Sequence, residues 1–234
     1  MKTVLLFSGG LDSTTLLAYL KIRHNEVLAL SFDYGSNHMV AEGNASTLIA
    51  KYYGIPHRFI SIPRTIFTGG KSALLGQSPI PHAEYQDVAT EGPSSTVVPF
   101  RNAIMLSQAV AVAESSGYEC VAIANHASDY AHWAYPDCSP EFMGAFTAAV
   151  YTGTAGKIRL MAPFQSLEKA DIVQLAQVLG VPVHLTWSCY TGGSKPCGMC
   201  STCLERIKAF ETAHLIDPVT YELHHDWPSD CKAY

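Results

Sequence analysis

The chain has 234 residues, 48% of them hydrophobic and 15% charged, enough apolar material for a sizeable core and unlike a disordered or fibrous chain. Fifteen Lys and Arg against twenty Asp and Glu give a formal net charge of −5, which leaves no broad basic surface to displace counterions along a nucleic acid, and no nucleic-acid partner is expected. The first apolar run, Val4 to Phe7, is too short for a signal peptide or a membrane span, so the expected setting is the cytoplasm, with no membrane partner. In that reducing compartment an odd set of seven cysteines directs attention to their spacing, not to disulfides.

Residues 3–7 form a mostly apolar run stopped by a Gly pair, and residues 11–22 carry helical periodicity, a strand followed by a helix. Further strands are expected at 26–32, 57–62 and 119–124, and helices at 45–53, ended by Gly54, and at 99–115. Alternation at this spacing predicts an α/β fold, an open parallel sheet of Rossmann-like type with helices on both faces. Residues 63–99 shift to Gly, Pro, Ser and Thr, a long loop that either covers a site or is a floppy insert. Ser166 is expected to cap a helix running to Leu179, with Gly180 as its stop and Pro182 beyond. The main unit is expected over 1–185, and a small C-terminal region over 186–234.

Ser8-Gly9-Gly10-Leu11-Asp12-Ser13 lies between the first strand and the first helix, where free helix N–H groups point beyond the strand and favour an anion. Two glycines allow backbone to approach phosphate oxygens, and the Ser8 and Ser13 hydroxyls add donors. The spacing matches neither a Walker-type phosphate loop nor a dinucleotide fingerprint. Lys169 falls in the first turn of one expected helix and Arg101 near the start of another, where the helix dipole disfavours a cation by ~0.3–1 kcal/mol. A polyphosphate or carboxylate would offset that.

Cys189, Cys197, Cys200 and Cys203 are spaced C-x7-C-x2-C-x2-C. Two residues between cysteines aim both sulfurs at one metal, and the seven-residue arm with Gly192, Gly193 and Pro196 can return a fourth. Four thiolates and no histidine read as a closed structural Zn²⁺ site, with an iron–sulfur cluster as the minor alternative. Arg206 is one candidate to balance the negative cluster.

The Ser8 to Ser13 hexapeptide resembles the pyrophosphate loop of the N-type ATP pyrophosphatases, which cleave ATP between its α and β phosphates. With Tyr135-Pro136-Asp137-Cys138 and the segment from Cys189 to Arg206, the chain is identified as similar to the 7-cyano-7-deazaguanine synthase family. The resemblance implies an adenine nucleotide alpha hydrolase-like fold, ATP with Mg²⁺, and a homodimer. It also implies adenylation of 7-carboxy-7-deazaguanine, displacement of AMP by ammonia, and a second activation that dehydrates the amide to the nitrile. By the same match, Phe7, Ser8, Gly9, Gly10, Leu11, Asp12, Ser13 and Thr14 hold the nucleotide, Asp12 acting through Mg²⁺. Asp12, Ser13, Lys169 and Arg101 carry the chemistry.

Asn102, Asp129, Tyr135 and Asp137 are the expected substrate residues. Asp129 and Asp137 follow a strand, where they either meet a ligand or cap local backbone; Tyr135, Trp133 and Phe100 either stack on a purine-like ring or belong to the core. The chain departs from the family at Phe100, which stands where Gly is usual, and in Tyr34-Gly35-Ser36-Asn37-His38 after the second strand. A third departure is a longer span containing His132 and Trp133. The first and third are expected to alter the substrate lining and to bear on whether the reaction stops at the amide.

Overall fold

The computed structural model describes residues 1–82 and 93–234. Five parallel strands, β1 (Lys2–Leu6), β2 (Glu26–Asp33), β3 (His57–Ser61), β4 (Cys120–Ala122) and β5 (Arg159–Met161), form one sheet in the order β3-β2-β1-β4-β5. Thr3 in the central strand pairs with Val27 on one side and Cys120 on the other. The helices are α1 (Leu11–Ile22), α2 (Met39–Tyr53), α3 (Arg101–Ser115), the single turn α4 (Ala127–Tyr130), α5 (Pro140–Gly153), α6 (Lys169–Val178) and α7 (Ser201–Thr212). A small parallel pair, β6 (Leu215–Ile216) and β7 (Lys232–Ala233), closes the described chain.

The sheet is covered on both faces, which is why Val4 to Leu6 of β1 are apolar without alternation. Val4, Leu6, Leu28, Leu30 and Val121 face α3 and α5 through Leu106, Ala109, Met143 and Val150. Leu5, Val27, Ala29 and Ala122 face α1, α2 and α6 through Leu16, Leu17, Leu20, Ile49 and Ile172. Strand order reverses between β1 and β4, and that switch point opens a crevice beyond their carboxyl ends.

Several expected boundaries move. Helix α2 begins at Met39, not residue 45; its first turns expose Val40 and contain Gly43, so they carry no apolar stripe. Helix α6 begins at Lys169, and its N-cap is Glu168, whose N–H donates to the Asp171 carboxylate at 2.9 Å; Ser166 lies outside it. The described flanks of the 63–99 loop are not a floppy insert, because Phe67, Leu74, Leu75 and Val98 are buried in the core. The rest of that expected lid, residues 83–92, lies outside the described residues.

Gly9 shows how tightly the turn after β1 is built. Its φ is +77°, and a Cβ there would stand 2.5 Å from the backbone N of Ser46 in α2 and 2.9 Å from its Cα. The glycine is required by close packing of the turn against a helix as well as by its left-handed backbone. Gly9→Ala is therefore expected to lower stability by at least about 2 kcal/mol. Chemical denaturation of the purified variant checks this.

Candidate active site and metal centre

The turn after β1 is a set of donors and acceptors already engaged with each other. The Gly10 N–H donates to Ser8 Oγ at 3.1 Å, Ser8 Oγ and Ser13 Oγ lie 3.2 Å apart, and Ser13 Oγ donates to the Gly10 carbonyl at 3.2 Å. Phe7 and Leu11 are core side chains, and the Thr14 hydroxyl returns to the Gly10 carbonyl at 2.7 Å, so these three bring backbone to the turn. Ser8, Gly10, Asp12 and Ser13 line a cavity of about 250 Å³ at the switch point.

Lys169, at the N-terminus of α6, is buried against that turn. Its Nζ donates to Asp12 Oδ2 at 2.6 Å and lies 3.2 Å from His126 Nε2 and 3.6 Å from Glu205 Oε2. Burial works against the charged form of Lys169, but Asp12, Glu205 and Asp129 outweigh it and hold the ammonium protonated. Burial likewise opposes ionisation of Asp12, yet Lys169 and His126 keep its carboxyl below the usual range. At Glu205 burial wins and the carboxyl is pushed up. The dipole cost inferred for a cation at this helix start is thus offset by protein carboxylates already in place.

Arg101 also lines the cavity, and its guanidinium donates to the Tyr34 hydroxyl at 3.2 Å. Asn102, Asn125, Asp129, Tyr135, Cys138 and Tyr190 line the cavity as well. The Tyr135 to Cys138 turn is fixed from behind, because Asn125 Nδ2 and Gln165 Nε2 both donate to the Cys138 carbonyl at 2.9 Å. Burial and the neighbouring Asp129 and Asp137 push the Cys138 thiol well up, so it stays protonated and is no nucleophile.

The four clustered cysteines bring their sulfurs within 4.8 Å of one another, and all four are buried. Cys189 and Cys200 are 4.0 Å apart, as are Cys197 and Cys203. A tetrahedral site with metal–sulfur bonds of about 2.3 Å needs sulfurs about 3.8 Å apart. Backbone N–H groups of Met199 and Cys200 point at Cys197 Sγ at 3.4 and 3.3 Å, and that of Cys197 points at Cys189 Sγ at 3.4 Å, which favours thiolates. The donor set fits a metal ion. The same segment reaches the cavity: the Trp187 N–H donates to the Gly9 carbonyl at 3.0 Å, and Trp187, Ser188, Tyr190 and Thr202 line it.

A family model described as queuosine biosynthesis protein QueC matches residues 2–214. The chain belongs to that family. A 7-cyano-7-deazaguanine synthase from Thermoplasma acidophilum is 44% identical over 100% of this chain and 96% of its own. Enzymes of the same name from Allorhizobium ampelinum and Archaeoglobus fulgidus are 40% and 41% identical over 100% of this chain, covering 98% and 95% of theirs.

Against the QueC resemblance, the structure separates the expected residues. Asp12, Ser13, Lys169, Arg101, Asn102, Asp129 and Tyr135 gather around one cavity. Asp137 is not among the lining residues. Its Oδ2 accepts the Asn102 N–H at 2.8 Å and so caps α3, the backbone role left open above. Asp129 does both, accepting the His126 N–H at 3.0 Å while lining the cavity.

Phe100 is 65% exposed and packs edge-on against Phe142, and Trp133 is 61% exposed; neither lines the cavity. His132 lies on a separate cavity of about 360 Å³ behind Lys169. The expected change of substrate lining at these positions is therefore not found. His126 and Glu205 belong to the site and were not expected. Glu205 stands two residues past the last cysteine, on the helix whose N-cap is Cys200, and only the fold brings that turn to Lys169.

Arg206 is paired chiefly with Asp217, and Cys203 of the cluster also acts on it electrostatically, as expected. It donates to Asp217 Oδ2 at 2.6 Å and Oδ1 at 3.0 Å, and to Thr186 Oγ1 at 2.8 Å, with both charged partners buried. Asp217→Ala leaves a buried guanidinium without its carboxylate and is expected to cost about 3–5 kcal/mol of stability. Urea unfolding of wild type and variant measures it.

Proposed function

We propose that this chain converts 7-carboxy-7-deazaguanine and ammonia into 7-cyano-7-deazaguanine, consuming two ATP and releasing two AMP and two pyrophosphate. The observation that carries the reading is the convergence of Ser8, Asp12, Ser13, Lys169 and Arg101 on the switch-point cavity, in a chain 44% identical to a synthase of that name. In the first step a carboxylate oxygen attacks the α-phosphorus of ATP and pyrophosphate leaves. The leaving charge is met by the N-terminus of α1, the two serine hydroxyls and the Lys169 ammonium. Ammonia then forms a C–N bond to the acyl carbon as the C–O bond to AMP breaks, with loss of one proton, to give the amide. The amide oxygen attacks the α-phosphorus of a second ATP, expelling pyrophosphate as one N–H proton is lost, and departure of AMP with the other N–H proton leaves the nitrile.

Arg101 is placed to pair the acid's carboxylate before activation, and Asn102 and Tyr135 to border the deazapurine. Asp12 Oδ1 is buried and has no hydrogen-bond partner among the described residues, so Asp12 would hold the Mg²⁺ that accompanies ATP, and the ion would neutralise charge on the phosphates. Residues 186–234 supply the metal-binding wall, and residues 1–185 the nucleotide-binding part. The metal is read as Zn²⁺, held by Cys189, Cys197, Cys200 and Cys203 in a closed structural role. The nitrile is favoured over the amide because Phe100 and Trp133 lie outside the cavity lining.

Asp12→Ala and Ser13→Ala are each expected to lower AMP formation by about a hundredfold or more with metal content retained; thermal unfolding stays near wild type for Ser13→Ala and falls for Asp12→Ala, which takes the nearest carboxylate from the buried Lys169. Mass spectrometry of the wild-type product, with AMP counted, should give the nitrile and two AMP per molecule; persistent amide with one AMP would replace this reading. Metal analysis should find about one zinc per chain, lost together with folding stability in Cys197→Ala or Cys200→Ala, because metal-binding energy is folding energy.

A further inference from the structure

Asn125 is 4% exposed, follows β4 and lines the cavity. Its amide orientation is fixed by what its nitrogen does: Nδ2 donates to the Cys138 carbonyl at 2.9 Å and to Gln165 Oε1 at 2.7 Å, both acceptors. The oxygen must therefore be the other arm. That Oδ1 is buried and has no hydrogen-bond partner among the described residues. A buried acceptor left unmade is costly, and one that borders a ligand cavity calls for a donor on the ligand.

Where along the ligand that donor lies follows from the neighbours. The next residue, His126, has its Nε2 3.2 Å from the Lys169 ammonium and 4.0 Å from Asp12 Oδ2, so Asn125 is one residue from the pair beside which the proposed function puts the reacting group. The proposed reaction places two different groups there. A carboxylate is acceptor-only and has nothing to donate to Asn125 Oδ1, whereas a primary amide presents two N–H donors. Resting on the proposed function, we infer that Asn125 Oδ1 binds the N–H of the amide intermediate and orients its oxygen for the second adenylation. The bond exists in the second activation and not in the first, so the residue acts on how far the reaction proceeds.

The test compares kcat/KM on the acid with kcat/KM on 7-amido-7-deazaguanine supplied directly, together with the ratio of nitrile to amide formed from the acid. Asn125→Ala removes the acceptor, while Gln165 still donates to the Cys138 carbonyl and holds the turn. The loss on the amide is expected to exceed the loss on the acid by about tenfold or more, with amide accumulating. Asn125→Asp is the second variant, which keeps an acceptor, adds a negative charge and gives up the two Nδ2 bonds, leaving Gln165 Nε2 as the donor to the Cys138 carbonyl. It should move the ratio the opposite way, weakening the acid by repulsion more than the amide. Equal losses on both substrates in the alanine variant, or a shift of the same sign in the two variants, overturns the inference and leaves the proposed function standing. Wild-type protein that makes no nitrile from either substrate overturns the proposed function and, with it, this inference.

Discussion

A buried ammonium has to be paired, and pairing Lys169 obliges three separate parts of the chain to meet. Asp12 comes from the start of α1, His126 from the turn after β4, and Glu205 from the first turns of α7, and each brings a polar atom within 3.6 Å of the same Nζ. Leaving one charge of such a group unpaired in the interior is worth several kcal/mol, so the phosphate-binding turn, the crevice at β4 and the helix from the cysteine region hold each other in register. In the proposed reaction this arrangement stores a cation beside the place where pyrophosphate charge develops. Such preorganised charge does not have to be assembled during the reaction.

This makes the cysteine region part of the cavity and not a distant clamp. Trp187 donates its N–H to Gly9 and, through its indole, to the Cys189 carbonyl at 2.8 Å. One residue thus joins the turn after β1 to the first of the four clustered cysteines. Cys200 serves as N-cap of the helix that presents Glu205, so ligand geometry and the placement of Lys169 are set by the same few residues.

The parts of this design that were legible in the sequence are those with local signals. The strand, Gly pair and helix at the start, the metal-ligand spacing, and the alternation that demands a parallel sheet all act over short stretches of chain. Lys169 announced itself as a cation at a helix start, although the partners that answer it are supplied by the protein. The sequence concealed His126 and Glu205, whose roles depend on contacts 43 and 36 positions away along the chain. It misdirected over Asp137, since a carboxylate that caps a helix and one that meets a ligand look alike until the fold shows which way it points. Helix α5 was missed although it carries local start signals, a Ser139 N-cap that accepts the Phe142 N–H, Pro140 in the first turn and Glu141 beside it.

Phe100, His132 and Trp133 have φ values of +54°, +52° and +60°, a region that non-glycine residues enter at a cost of roughly 1 kcal/mol or more each. Phe100 and Trp133 are also largely exposed, so little apolar packing offsets that cost. The three positions are therefore an untapped margin of heat resistance lying outside the nucleotide cavity. A chain with Asn at Phe100 or Trp133, a residue that tolerates left-handed backbone, would hold its fold at higher temperature with the reactive wall untouched. Adaptation to warmer surroundings could begin at this rim without any compromise in chemistry.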